Sequence, residues 1–159
     1  MDREYFGRVA RCHQYCEEMA YEICMKLSEK AKNNILRDIA KVIGQNSRKH
    51  AHILSDIANI YGVEEFEKQD CSRYSGAAYG LMGYLGEVSD KINSISDDDE
   101  IYDTLVTLVD MIASIGMTDR AIITDGLPGE YKDYFTELLI YIEDDEFRHM
   151  SLLKKYGKQ

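Results

Sequence analysis

The stretch Glu143-Asp144-Asp145-Glu146-Phe147-Arg148-His149-Met150 decides how this chain is read. Apolar residues on either side of it, Phe135, Leu139, Ile142, Leu153 and Tyr156, recur at the three- and four-residue steps of an amphipathic helix. Glu146 lies one heptad from Leu139 and from Leu153. His149 lies one heptad from Ile142 and from Tyr156. Both polar side chains therefore fall inside the apolar stripe and face the core. At i, i+3 they share one helical face and can grip one ion. A buried carboxylate needs a strong partner. Either a metal or a satisfied Glu–His pair within a helical core meets that need, and the other helices decide between them.

Working outward, residues from about 3 to 32 form a first helix, with Asp2 as N-cap. Its stripe runs through Phe6, Val9, Cys16, Ala20, Ile23 and Leu27. Glu18 and Glu22 share their heptad lines with polar or charged residues and read as solvated. Glu17 lies on the line of Ala10, Cys24 and Ala31, small residues that let a second helix come close, so Glu17 is the inward-facing acid. His13, on the line of Phe6, Ala20 and Leu27, reads as a core histidine or as a group supporting Glu17.

A second helix runs from about 35 to 61 and is closed by Gly62. His50 sits one heptad from Ile43 and from Ile57 and faces inward, with Ser47 one turn earlier on the line of Ala40, Leu54 and Tyr61. His52 falls on a polar line and reads as a surface residue. From 63 to 99 the periodicity weakens, and a glycine-bearing apolar segment (Gly76, Gly80, Gly83, Gly86) has the small-residue spacing that permits close helix packing. The acidic run Asp97-Asp98-Asp99-Glu100 starts a third main helix, about 99 to 117, and suits its dipole. That run lacks the alternating ligands and glycine of a calcium loop. Between Thr104 and Thr118 the one ionisable residue is Asp110, an acid with few exposed positions available to it. A turn at Asp125-Gly-Leu-Pro128-Gly leads into the last helix, about 129 to 156.

Composition narrows the class. With 159 residues, one proline and no tryptophan, the chain is long enough to bury a real core as a single all-helical domain spanning 1–159. A net charge of −10 and a pI near 4.8 argue against nucleic acid or an anionic membrane as main partner. No apolar run reaches the ~20 residues needed to span a bilayer. The opening Met-Asp-Arg-Glu-Tyr has no apolar signal region, so a cytoplasmic protein is expected. Cys12, Cys16, Cys24 and Cys71 form no CxxC pair, which excludes a rubredoxin-type or zinc-ribbon module on this chain. The first three read as small buried apolar residues, although Cys12 and Cys16, one turn apart beside His13, also have the spacing of soft-metal ligands.

Four long helices thus carry inward polar groups: Glu17; Ser47 and His50; Asp110; Glu146 and His149. In carboxylate-bridged di-metal bundles two helices each give one acid and two give Glu-x-x-His. Here the chain resembles the ferritin-like superfamily, in its rubrerythrin-like branch, over nearly its whole length. Residues Glu17 to Ala31 look like that family's first ligand helix. Ser47-Arg-Lys-His50-Ala is similar to its first Glu-x-x-His-Ala and Glu146-Phe-Arg-His149 to its second, with 63–99 as the crossover.

The resemblance implies a ferritin-like four-helix bundle with a metal site at Glu17, His50, Asp110, Glu146 and His149. It implies one or two iron ions, with manganese or zinc as other candidates, and an oxidoreductase acting on O2 or peroxide. Without a rubredoxin-type module, electrons must come from a separate donor, and a homodimer is expected. Ser47 stands where the family has a bridging glutamate, and Asp110 where a longer acid is usual. The site therefore holds three carboxylates rather than four, which endangers the second ion. The competing expectation is a bundle that has lost catalysis and serves as a structural or interaction module.

Overall fold

A computed structural model describes residues 2–158. Five α-helices make the fold: α1 (Arg3–Lys30), α2 (Asn34–Ile60), α3 (Gly76–Lys91), α4 (Asp98–Gly126) and α5 (Gly129–Tyr156). Short 3-10 segments at Lys68–Arg73 and Ile92–Ser94 flank α3, and there is no strand among the described residues. The architecture is the expected all-helical bundle of ferritin-like type, with two long hairpins joined by a crossover. The three-residue link after α1 and the two-residue link after α4 force antiparallel neighbours.

Local chemistry sets the boundaries. Asp2, Asn33, Ser75 and Asp97 each accept a hydrogen bond from a backbone N–H in the first turn of the helix they precede, satisfying donors that a helix start leaves open. The Asp98 carboxylate accepts from the backbone N–H groups of Lys32 and Asn33 at 2.8 and 2.9 Å, tying the start of α4 to the α1–α2 link. Gly62, with φ +76°, ends α2 in the left-handed conformation that glycine adopts without steric cost.

The crossover is more ordered than its weak periodicity suggests, because α3 is a full helix inside it. α3 buries Ala78, Leu81, Met82, Leu85 and Val88 and packs on α1 and α4. Its glycines do not mediate that packing: a Cβ at Gly76, Gly80, Gly83 or Gly86 would meet nothing within 4 Å. The start of the crossover is held by Arg11. This buried guanidinium donates to Gln14 Oε1, Ser55 Oγ and Asn59 Oδ1 and to the Val63 carbonyl.

Cys12 is bonded to Cys71 across 59 residues, with Cα atoms 5.7 Å apart. This corrects the reading of Cys12 as a simple apolar filler, and it removes Cys12 as a soft-metal ligand. Sequence spacing could not reveal it, since the bond joins α1 to a crossover whose path the periodicity leaves open. Closing a loop of that size restricts the unfolded chain by about 4 kcal/mol. Cys16 and Cys24 are free and buried, and burial pushes both thiols up from their ordinary range.

α4 extends nine residues past its expected end at 117. By length and mean hydropathy it is also the one helix among the described residues capable of crossing a membrane, with a third of its most apolar window buried inside the bundle. That qualifies the expectation drawn from apolar runs. The helix packs against α1, α2, α3 and α5, and its buried stripe passes through an acid, Asp119.

Two apolar clusters fill the bundle. One takes Ile39 and Ile43 from α2, Leu105 to Ile115 from α4 and Leu153 from α5. The other takes Leu54 and Ile57 from α2, Ile123 from α4, and Leu139 and Ile142 from α5. On α2, α4 and α5 the residues between these sets include Ser47, His50, Asp119, Glu146 and His149, all buried. A polar layer separates the two cores.

Candidate metal centre

Glu17 of α1 meets His50 and Glu146 of that layer, with donor atoms all within 4.8 Å of one another. Their helices α1, α2 and α5 each bring the residue in on the buried stripe, and none is more than 2% exposed. His50 Nδ1 lies 3.4 Å from Glu17 Oε1 and 3.4 Å from Glu146 Oε1. Donors bound to one ion at about 2.0–2.2 Å stand roughly 3.0–3.5 Å apart, so the spacing fits a shared cation. Both Glu17 oxygens, His50 Nδ1 and Glu146 Oε1 have no hydrogen-bond partner in the protein. Buried polar atoms are normally paired. Three of these atoms, Glu17 Oε1, His50 Nδ1 and Glu146 Oε1, converge from three helices, an arrangement that an ion would satisfy.

The surroundings orient these donors. His50 Nε2 lies 2.9 Å from Asp145 Oδ2, which fixes the ring proton on Nε2 and leaves Nδ1 free to face the two glutamates. That carboxylate–imidazole pairing orients metal-binding histidines. Lys49 Nζ is 3.3 Å from the same Asp145 oxygen. Burial would pull the His50 imidazole down, but the charge of Glu17 and the nearby Glu146 and Asp145 carboxylates outweigh it and raise it to about 10. Glu17 mirrors this: burial would raise it, while His50 and His13 hold it down at about 2. The surrounding carboxylates thus favour a protonated His50 ring, and a cation would compete with that second proton for Nδ1.

The remaining expected site residues fall differently. His149 stays outside the three-residue cluster. Its Nε2 accepts from Asn46 Nδ2 at 2.8 Å, and its Nδ1 faces Glu146 Oε2 at 3.4 Å, so the ring steadies the far oxygen of Glu146. Ser47 is buried one turn before His50 with an unpartnered Oγ, and contributes no charge. Asp110 is exposed, which corrects its assignment to the site. The α4 stripe runs through Leu108, Val109, Ile112 and Ile115, and Asp110 lies off that line.

The inward acid of α4 is Asp119, 1% exposed. Its signal was present in the sequence, four residues after Ile115 and four before Ile123, but it lies beyond the end assigned to that helix. Asp119 Oδ2 is 3.9 Å from His13 Nδ1, and Ser75 Oγ donates to its Oδ1 at 3.4 Å. Burial pushes the Asp119 carboxyl up.

Comparison of the chain with protein-family models, with curated proteins and with solved structures found no match. The donor geometry therefore carries the functional argument.

Proposed function

We propose that this protein binds a divalent transition-metal ion through Glu17, His50 and Glu146, in a site of rubrerythrin-like type reduced to one ion. The observation that supports this is the convergence of three buried donor atoms without hydrogen-bond partners, one from each of three helices, within 4.8 Å of one another. Two carboxylates and one imidazole suit ferrous iron, manganese or zinc. With one divalent ion the charges balance, −2 from the acids against +2 from the metal beside a neutral ring. Bound iron would supply one-electron redox chemistry toward O2 or peroxide, with electrons from a separate donor.

The chain's own residues have defined parts in that reading. Asp145 holds His50 with Nδ1 inward. His149 holds Glu146 Oε2, so that Oε1 remains for the ion. Ser47 and the exposed Asp110 leave the places of two family carboxylates unfilled, which is why one ion is proposed rather than two.

A second reading, a bundle that acts as a structural or interaction module, is favoured by the high basicity of His50. An imidazolium set among Glu17, Glu146 and Asp145 compensates those acids without a metal. Anaerobic calorimetric titration of chelator-stripped protein with Fe(II), Mn(II) and Zn(II) separates the two. The metal reading requires saturable binding near one ion per chain; absence of binding for all three leaves the structural module.

A further inference from the structure

Besides the three-residue cluster, one buried histidine has neither ring nitrogen satisfied. His13 is 2% exposed, and both Nδ1 and Nε2 lack hydrogen-bond partners. It stands one helical turn before Glu17, and its Nε2 is 3.7 Å from Glu17 Oε1. That separation is slightly wider than the roughly 3.0–3.5 Å between two donors on one ion, and His13 lies outside the group of mutually close donors, so binding requires the ring to move inward. On the other side of the ring, Nδ1 points to Asp119 Oδ2 at 3.9 Å, and Asp119 is itself held by Ser75. The order Ser75–Asp119–His13–Glu17 repeats, from α4 and the crossover, the order Asp145–His50–Glu17 from α5 and α2. In both, an aspartate backs an imidazole whose opposite nitrogen faces the same glutamate.

A histidine that served only as core filling would be expected to make at least one good hydrogen bond. His13 makes none, and it borders a cavity of about 10 Å³ shared with Gly116, Ile142 and Glu146. His13 and Glu146 thus line the same small space.

We infer that His13 is a fourth ligand of the site proposed above, binding through Nε2 while Asp119 accepts the Nδ1 proton. The inference rests on the metal reading and extends it. Two carboxylates and two imidazoles complete a tetrahedral shell for zinc, whereas a metal of higher coordination number, such as ferrous iron, keeps positions for a small exogenous ligand. Asp119 is a positioning residue, acting on the metal through His13.

The test uses zinc alone as the probe, on the full chain. In long-range ¹H–¹⁵N spectra of the wild type, zinc should shift His13 Nε2 and His50 Nδ1 together into the metal-bound range, with His13 Nδ1 still protonated. Replacement His13→Gln should lower zinc affinity at least tenfold while one ion per chain is still taken up. Asp119→Asn should lower it 10–100-fold, with a weaker shift at His13 Nε2. If zinc moves the His50 signal and leaves His13 unchanged, the inference is wrong and the three-ligand reading stands. If the wild type takes up no zinc, Fe(II) or Mn(II), both fall. The wild-type spectra decide the matter even where a variant fails to fold.

Discussion

Asp145 Oδ2 sits 2.9 Å from His50 Nε2, and this contact determines which edge of the imidazole is offered to Glu17 and Glu146. With Asp145 accepting the Nε2 proton, Nδ1 faces inward. Replacing Asp145 by alanine removes that constraint without touching a proposed ligand, and frees the ring to present the protonated edge. Metal affinity should fall about 10–100-fold, the usual effect of losing such a partner. Competition against a chromophoric chelator measures it. An unchanged dissociation constant would show that His50 needs no such positioning or binds no metal.

The metal-free protein should show a pH dependence dictated by the same cluster. His50 is raised to about 10 from an ordinary 6.5. Its contribution to stability is thus complete below about pH 6.5 and is lost as pH rises toward 10. Glu17 is lowered to about 2 from 4.5. Its contribution is complete above about pH 4.5 and is lost as pH falls toward 2. The two shifts largely describe one ion pair and are not additive. The expected profile is a stability plateau between about pH 4.5 and 6.5, with a decline on the alkaline side of up to ~1.4 kcal/mol per pH unit. Urea midpoints of chelator-treated protein from pH 4 to 9 test this, and a rise in stability from pH 6.5 to 9 would contradict it.

Because an ion must displace the His50 proton, metal affinity should increase with pH over the same range. The slope should approach tenfold per unit below about pH 10. Titration with zinc at pH 6, 7 and 8 reads it directly. An affinity independent of pH would remove His50 from the ligand set.

Ser47 tests the proposal of a one-ion site. Its Oγ is buried without a partner, so Ser47→Ala should leave metal content unchanged and stability neutral or slightly higher. Ser47→Glu adds a carboxylate one turn from His50. The expected outcome is an increase from one ion per chain toward two under iron or manganese loading. A destabilised variant with no added metal would mean that an extra acid there is only an unpaired buried charge.

Much of this was legible in the sequence. Glu17, His50 and Glu146 each occupy stripe positions that ordinary packing would give to an apolar residue, and the structure buries all three. The resemblance also anticipated the crossover. What failed did so for physical reasons. The apolar run around Asp110 points it inward by leaving it few alternatives, but helical phase, not local composition, decides which way a residue faces. Asp119 keeps the phase but lies beyond residue 117, where the expected helix ends. Asp145 gave no stripe signal, since its side chain reaches sideways to α2. The Cys12–Cys71 bond joins segments whose relative placement only the three-dimensional path of the crossover determines.

The metal reading is tested most directly by elemental analysis of protein purified with neither chelator nor added metal, read beside the melting temperature before and after metal stripping. The account predicts close to one transition-metal ion per chain, lost in a Glu17→Gln, Glu146→Gln double variant, and a wild-type melting temperature that falls on stripping and recovers when the ion is restored. Less than about a tenth of an ion per chain, with a melting temperature indifferent to added iron, manganese or zinc, would contradict it.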